Sequence, residues 1–149
     1  SFKGQTVSIL GNGASHPDKT VTDGAITSDF GLTTAAIGLG YTSKLQTLRI
    51  EAGSVDGTSQ GKPKRIHNIV LRLFRTVGIE VGSDVTNVDR LPFRDSSMDM
   101  DEAVPLFTGD KDIEFPGGFE DDAKLYVQQT QPLPMTILAL YPRLNTFDL

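Results

Sequence analysis

The sequence has no cysteine and no tryptophan, and its only histidines are His16 and His67. Without cysteine there is no disulfide framework, no thiol nucleophile and no zinc ribbon. Two histidines so far apart in the chain cannot form a local His-x-x-x-His metal pair. Long apolar runs are also missing. The most apolar stretch, residues 135–141, falls well short of the roughly 18 residues a membrane-spanning helix needs, so no membrane contact is expected. The opening Ser1-Phe2-Lys3-Gly4-Gln5 lacks the apolar segment of a secretory signal.

What remains is ordinary for a folded domain. Hydrophobic residues make up 38% of the 149 and charged residues 22%, which supports one core without staples. The chain begins with serine rather than methionine. It is read as a single β-rich domain, residues 1–149, belonging to a longer protein. The net charge of −5 is unevenly placed. Residues 1–75 hold nine Lys/Arg and five Asp/Glu (+4); residues 76–149 hold five and fourteen (−9). An acidic total disfavours sequence-independent nucleic-acid binding, which needs a basic face. A basic half and an acidic half suit attraction within one chain or between copies.

The pattern of short runs and turns predicts antiparallel β structure. Thr6-Val7-Ser8-Ile9-Leu10 alternates and leads into Asn12-Gly13, a dipeptide that accepts positive φ at both positions of a hairpin turn. Ser15–Lys19 reads as loop. Asp23-Gly24 reads as a second turn, followed by an alternating run at 25–30. A further strand is expected within 41–50, then a glycine-rich polar loop at 52–63. Residues 65–81 fit two periods. Ile66, Ile69, Val70, Leu73, Phe74 and Val77 have helical spacing, while Ile69, Leu71, Leu73, Val77, Ile79 and Val81 alternate with one break at Arg75. The density of valine, isoleucine and threonine favours strand. Residues 82–112 read as a polar excursion, with or without two short strands. Gly117-Gly118 reads as a hairpin turn, 123–130 as an alternating strand, and 135–140 as a central buried strand. With no strand–helix alternation, the expected class is mainly β: an antiparallel sandwich or barrel-like domain with long polar loops.

No catalytic or cofactor constellation stands out, and no cofactor is expected. Gly57 to Pro63 mimics a phosphate loop but has three residues between its glycines and proline where a magnesium-binding hydroxyl belongs. Gly11-Asn12-Gly13 lacks the third glycine of a dinucleotide fingerprint. Ser15 beside His16 is no triad, for no nucleophile elbow accompanies it. The acidic run Asp95, Asp99, Asp101 and Glu102 leaves two alternatives to a solvated face. One is a calcium- or carbohydrate-binding module; the other is a glycan hydrolase using Asp99, Asp101 or Glu102 as its acid and base. Lys62, Lys64 and Arg65, with His67, Arg72 and Arg75 beyond, form a basic cluster suited to a partner's carboxylates.

Several blocks carry a resemblance. They are Gly38-Leu39-Gly40-Tyr41-Thr42-Ser43-Lys44-Leu45-Gln46-Thr47-Leu48, residues 51–67, Pro105-Leu106-Phe107-Thr108-Gly109-Asp110, Phe115-Pro116-Gly117-Gly118 and residues 131–142. The opening, from Gly4-Gln5-Thr6-Val7 through Asp23-Gly24-Ala25-Ile26-Thr27, fits as well. In this order and extent the chain resembles the tail tubular and nozzle-type proteins of short-tailed bacteriophages. None of the blocks is a catalytic motif. The resemblance implies a non-enzymatic structural component of the virion tail, made in the bacterial host cytoplasm. It implies a ring of copies, typically six, that contacts other tail proteins and surrounds the DNA passage without reading sequence. Since a ring repeats one contact between unlike patches, Lys62, Lys64 and Arg65 are expected to face Asp99, Asp101 and Glu102 of the next copy.

Overall fold

A computed structural model describes residues 2–51, 53–54, 57–58, 61–100, 102–115, 118 and 122–146. Among these residues there are strands and turns but no helix. The strands are β1 (Thr6–Gly11), β2 (Ala14–Thr20), β3 (Ala35–Gly38), β4 (Ser43–Gln46), β5 (Gly53–Ser54), β6 (Gly57–Thr58), β7 (Lys64–Thr76), β8 (Glu80–Gly82), β9 (Val88–Arg90), β10 (Phe107–Glu114), β11 (Tyr126–Gln129) and β12 (Ile137–Thr146). They form antiparallel sheets in the orders β2-β1-β3, β10-β7-β12 and β4-β11-β8-β9, with β5 and β6 as a small pair. None closes into a barrel. The expected mainly β antiparallel class holds.

The core lies between the second and third sheets. Ile66, Ile69, Leu71 and Leu73 of β7 pack in one cluster with Val81 of β8, Val127 of β11, and Ile79, Leu91, Phe115 and Leu125 from the adjoining segments. The first sheet buries Val7 and Ile9 on one face of β1. Asn12 (φ 51°) and Gly13 (φ 83°) make the expected turn between β1 and β2; Asp23 (φ 52°) and Gly24 (φ 81°) make the second turn, closed by reciprocal bonds between Thr22 and Ala25. Both turns use the left-handed region that asparagine, aspartate and glycine tolerate.

Residues 64–76 are strand, and the structure shows why two periods competed. The buried positions are Lys64 and Ile66, then Ile69, Leu71 and Leu73, then Thr76. Each three-residue step is a bulge. Between Ile66 and Asn68 the register against β12 shifts, and between Leu73 and Thr76 the register against β10 shifts. A bulge adds one residue to an alternating run, so its step of three imitates helical spacing. Arg75, where alternation breaks, has φ 45°.

Several expectations are corrected. Ser15–Lys19 is not loop but lies in β2; Pro17 is tolerated because β2 is an edge strand and the register slips there, from Val7↔Lys19 to Ile9↔His16. Residues 26–30 form no strand, and Phe30 is exposed. Residues 107–112, expected within a polar excursion with or without two short strands, belong to β10 on β7: its carboxylates Asp110, Asp112 and Glu114 point outward while Phe107, Lys111 and Ile113 are half-buried. The short strands β8 and β9 flank the turn at 83–87. Residues 126–129 do not alternate in burial, because all four are covered. The apolar run at 135–140 is not central. It enters β12, an edge strand whose Leu138 and Tyr141 are exposed; β7 occupies the middle. The polar loop at 52–63 contains β5 and β6, and its remaining residues lie partly outside the described residues, as does Gly117 of the expected Gly117-Gly118 turn.

Candidate subunit-contact surface

The basic cluster is divided by the fold. Alternation on β7 sends Lys64 inward and Arg65 outward. Lys64 is fully buried, and its Nζ donates to Glu51 Oε2 at 3.1 Å. A buried ammonium needs such a partner within the chain. Lys64 therefore cannot face a neighbouring copy, which corrects the expected contact set. Arg65 is exposed opposite Asn145 of β12, and Lys62 is half-buried just before β7. Arg72, further along the same face, is engaged by Asp110 of β10. Nε and Nη2 each donate to a carboxylate oxygen at 2.8 Å, and the guanidinium lies 5.5 Å from the Tyr141 ring centroid. The hydrogen bonds and the opposite charge raise the Arg72 pKa and lower that of Asp110. Beside this pair Asn68 Nδ2 donates to Asp112.

Part of the charge asymmetry is thus satisfied inside one molecule. Arg72–Asp110 joins the basic half to the acidic half, and Arg49 Nη1 lies 3.2 Å from Asp122 Oδ1. Sequence alone could not assign Arg72 to Asp110, because the pairing depends on the register of β7 against β10.

The acidic run is organised by a residue of opposite charge. Arg94 donates to the backbone carbonyls of Asp99 and Glu102, the latter at 2.8 Å. Asp95 accepts from the amide and hydroxyl of Ser97, which lowers its pKa. With the backbone turned toward Arg94, Asp99 and Glu102 are exposed. Asp101 lies outside the described residues. Among the described residues no three His, Asp or Glu side chains converge as metal ligands.

A polar network that sequence reasoning missed crosses the third sheet. Tyr126 Oη donates to Gln128 Oε1 at 3.2 Å, and Gln128 Nε2 donates to Glu80 Oε2 at 2.6 Å. Arg90 Nη2 and Thr130 Oγ1 donate to Glu80 Oε1. Partial burial opposes ionisation of Glu80, but the donors from Gln128, Arg90 and Thr130 outweigh it and lower the pKa. The members are spread over three strands and a loop, so no local spacing reveals them.

Set against known proteins, the chain matches no protein-family model and no curated protein sequence.

Proposed function

We propose that the chain is a structural component of a short-tailed bacteriophage tail. It would contribute to a ring, of six copies by resemblance, through which DNA passes, in contact with other tail proteins. The ordered run of sequence blocks from Gly4 to Pro142 carries this reading. A domain with strands and no helix among the described residues is compatible with it. The ring contact, with Lys64 removed, is assigned to Lys62 and Arg65 of one copy against Asp99, Asp101 and Glu102 of the next. Each exposed pair contributes only about 0–1 kcal/mol, and repetition around the ring makes the sum count.

The test belongs in the full-length parent protein. Electron microscopy of that protein is expected to show closed rings. Reversing Lys62 and Arg65 to glutamate is expected to impair ring formation, and adding Asp99→Lys, Asp101→Lys and Glu102→Lys to restore part of it. Absence of rings in the unaltered parent would overturn the tail reading. Rings indifferent to the Lys62/Arg65 reversal would overturn the contact alone.

A further inference from the structure

Sheet edges expose unpaired backbone groups, and natural proteins blunt them with charge, proline, bulges or brevity. Five of the six edge strands in the larger sheets of the described residues are blunted. The edge strand β2 carries Pro17, Asp18, Lys19 and a register slip. On β10 the devices are Asp110, Lys111, Asp112 and Glu114. The opposite edge of that sheet, β12, has Pro142, Arg143 and two register slips. In the third sheet β4 has Lys44, and β9 is three residues long with Asp89 and Arg90.

The sixth edge, β3, is as short as β4 but carries no charge, no proline and no bulge. Residues 31–43 contain no charged residue and no proline, and β3 pairs with β1 without a slip. Ile37, Leu39 and Tyr41 follow at every second position, with 51%, 54% and 82% of their surface exposed. Ile37 pairs with the buried Ile9, so this apolar row extends a buried layer out to the sheet edge. Beside it lies a groove of about 570 Å³, lined in part by Leu10, Leu39, Tyr41, Pro132 and Leu133.

We propose that β3 is an interaction edge whose occupant is β3 of a second copy, paired antiparallel about a two-fold axis near Ile37. Charge selects this occupant. A two-fold contact sets each strand against itself, so charged residues on it meet their like. Edge to edge, β10 would bring its carboxylates onto one another, and β12 its Arg143. Neutral β3 brings Ile37 against Ile37 and Leu39 near Ala35 of the other copy. A pair of four-residue strands is a small contact, so the pairing depends on concentration. It does not rest on the tail reading, whose ring contact joins unlike patches.

The test uses the 149-residue chain. Sedimentation should show a concentration-dependent dimer that persists at high salt. Ile37→Lys, at a half-exposed position that should still fold, is expected to weaken the dimer at least about tenfold, since like charges then face each other across the axis. Leu138→Lys on β12 should leave it unchanged. Because the chain has no cysteine, Ile37→Cys and Leu39→Cys report the axis directly. Only a residue at the axis brings its own counterpart within the ~4.4–6.8 Å Cα separation a disulfide requires. A covalent dimer at either position supports the pairing. A monomer at every concentration, a higher ring instead of a dimer, a dimer indifferent to Ile37→Lys, or oxidation that cross-links neither cysteine would overturn it.

Discussion

At the scale of single residues, two positions are fixed by contacts invisible in the sequence. A Cβ on Gly82 would stand 1.7 Å from the carbonyl oxygen of Asn87, part of the tight turn joining β8 to β9. Backbone cannot yield as a flexible side chain does. Gly82→Ala is therefore expected to destabilise by about 3 kcal/mol. Gly31→Ala, where nothing lies within 4 Å of the added Cβ, should stay within about 0.5 kcal/mol. Urea unfolding of the two variants separates them. In the same turn Asp84 accepts hydrogen bonds from the Thr86 hydroxyl and amide, and from the side-chain and backbone N–H groups of Asn87. These lower its pKa from 3.8 to about 2, the Thr86 hydroxyl contributing most. A carboxyl with a depressed folded pKa contributes stability in full above its unfolded value, and loses it as pH falls through the folded one. Asp84→Ala should therefore be destabilising at neutral pH, with the difference from the unaltered chain shrinking below pH 3.8 and nearly gone by pH 2. A difference that stays constant over that range would show that the carboxylate's charge is not what matters.

At the scale of elements, the long strand β7 depends on how its bulges are held. Thr76, fully buried beside the second bulge, accepts from the Thr136 amide at 2.9 Å. Its own proton lies within reach of the carbonyls of Phe74 and Thr136. The hydroxyl thus ties the end of β7 to the segment entering β12. Thr76→Val keeps the shape but removes the acceptor for the Thr136 N–H and the donor to the two carbonyls, at an expected cost of about 0.5–1.5 kcal/mol. An unfolding midpoint equal to that of the unaltered chain would exclude this clamp. The bulges also explain what was legible here. Valine and isoleucine density favoured strand over 65–81, which the structure divides into β7 and β8, but nothing local fixes where an extra residue is inserted. Pairing with β10 and β12 fixes it.

At the scale of the whole molecule, burial is unequal among the sheets. The main cluster joins β7 to β8 and β11, whereas Val7 and Ile9 of the first sheet lie outside it. Regions with fewer shared buried contacts open first. In native-state hydrogen exchange the amides of Ile69 to Leu73 should therefore be the slowest, and those of β1 and β3 should exchange through a smaller opening. Equal protection in both regions would mean that the sheets unfold as one unit.

The sequence by itself determined the β class, the two Xaa-Gly turns and the positions of the blocks that carry the resemblance. Each of these depends on local chemistry: side-chain branching, tolerance of positive φ, and residue order. Tertiary structure alone decided that Lys64 turns inward to Glu51 while Arg65 stays in solvent, because a strand sends neighbours to opposite faces and the pairing sets which face is covered. It also decided that Arg72 meets Asp110, that the apolar run at 135–140 enters an edge strand, and that among the described residues β3 has no strand neighbour on one side. These outcomes depend on which strands lie side by side, and strand order in an antiparallel sheet is set by contacts between residues far apart in the chain.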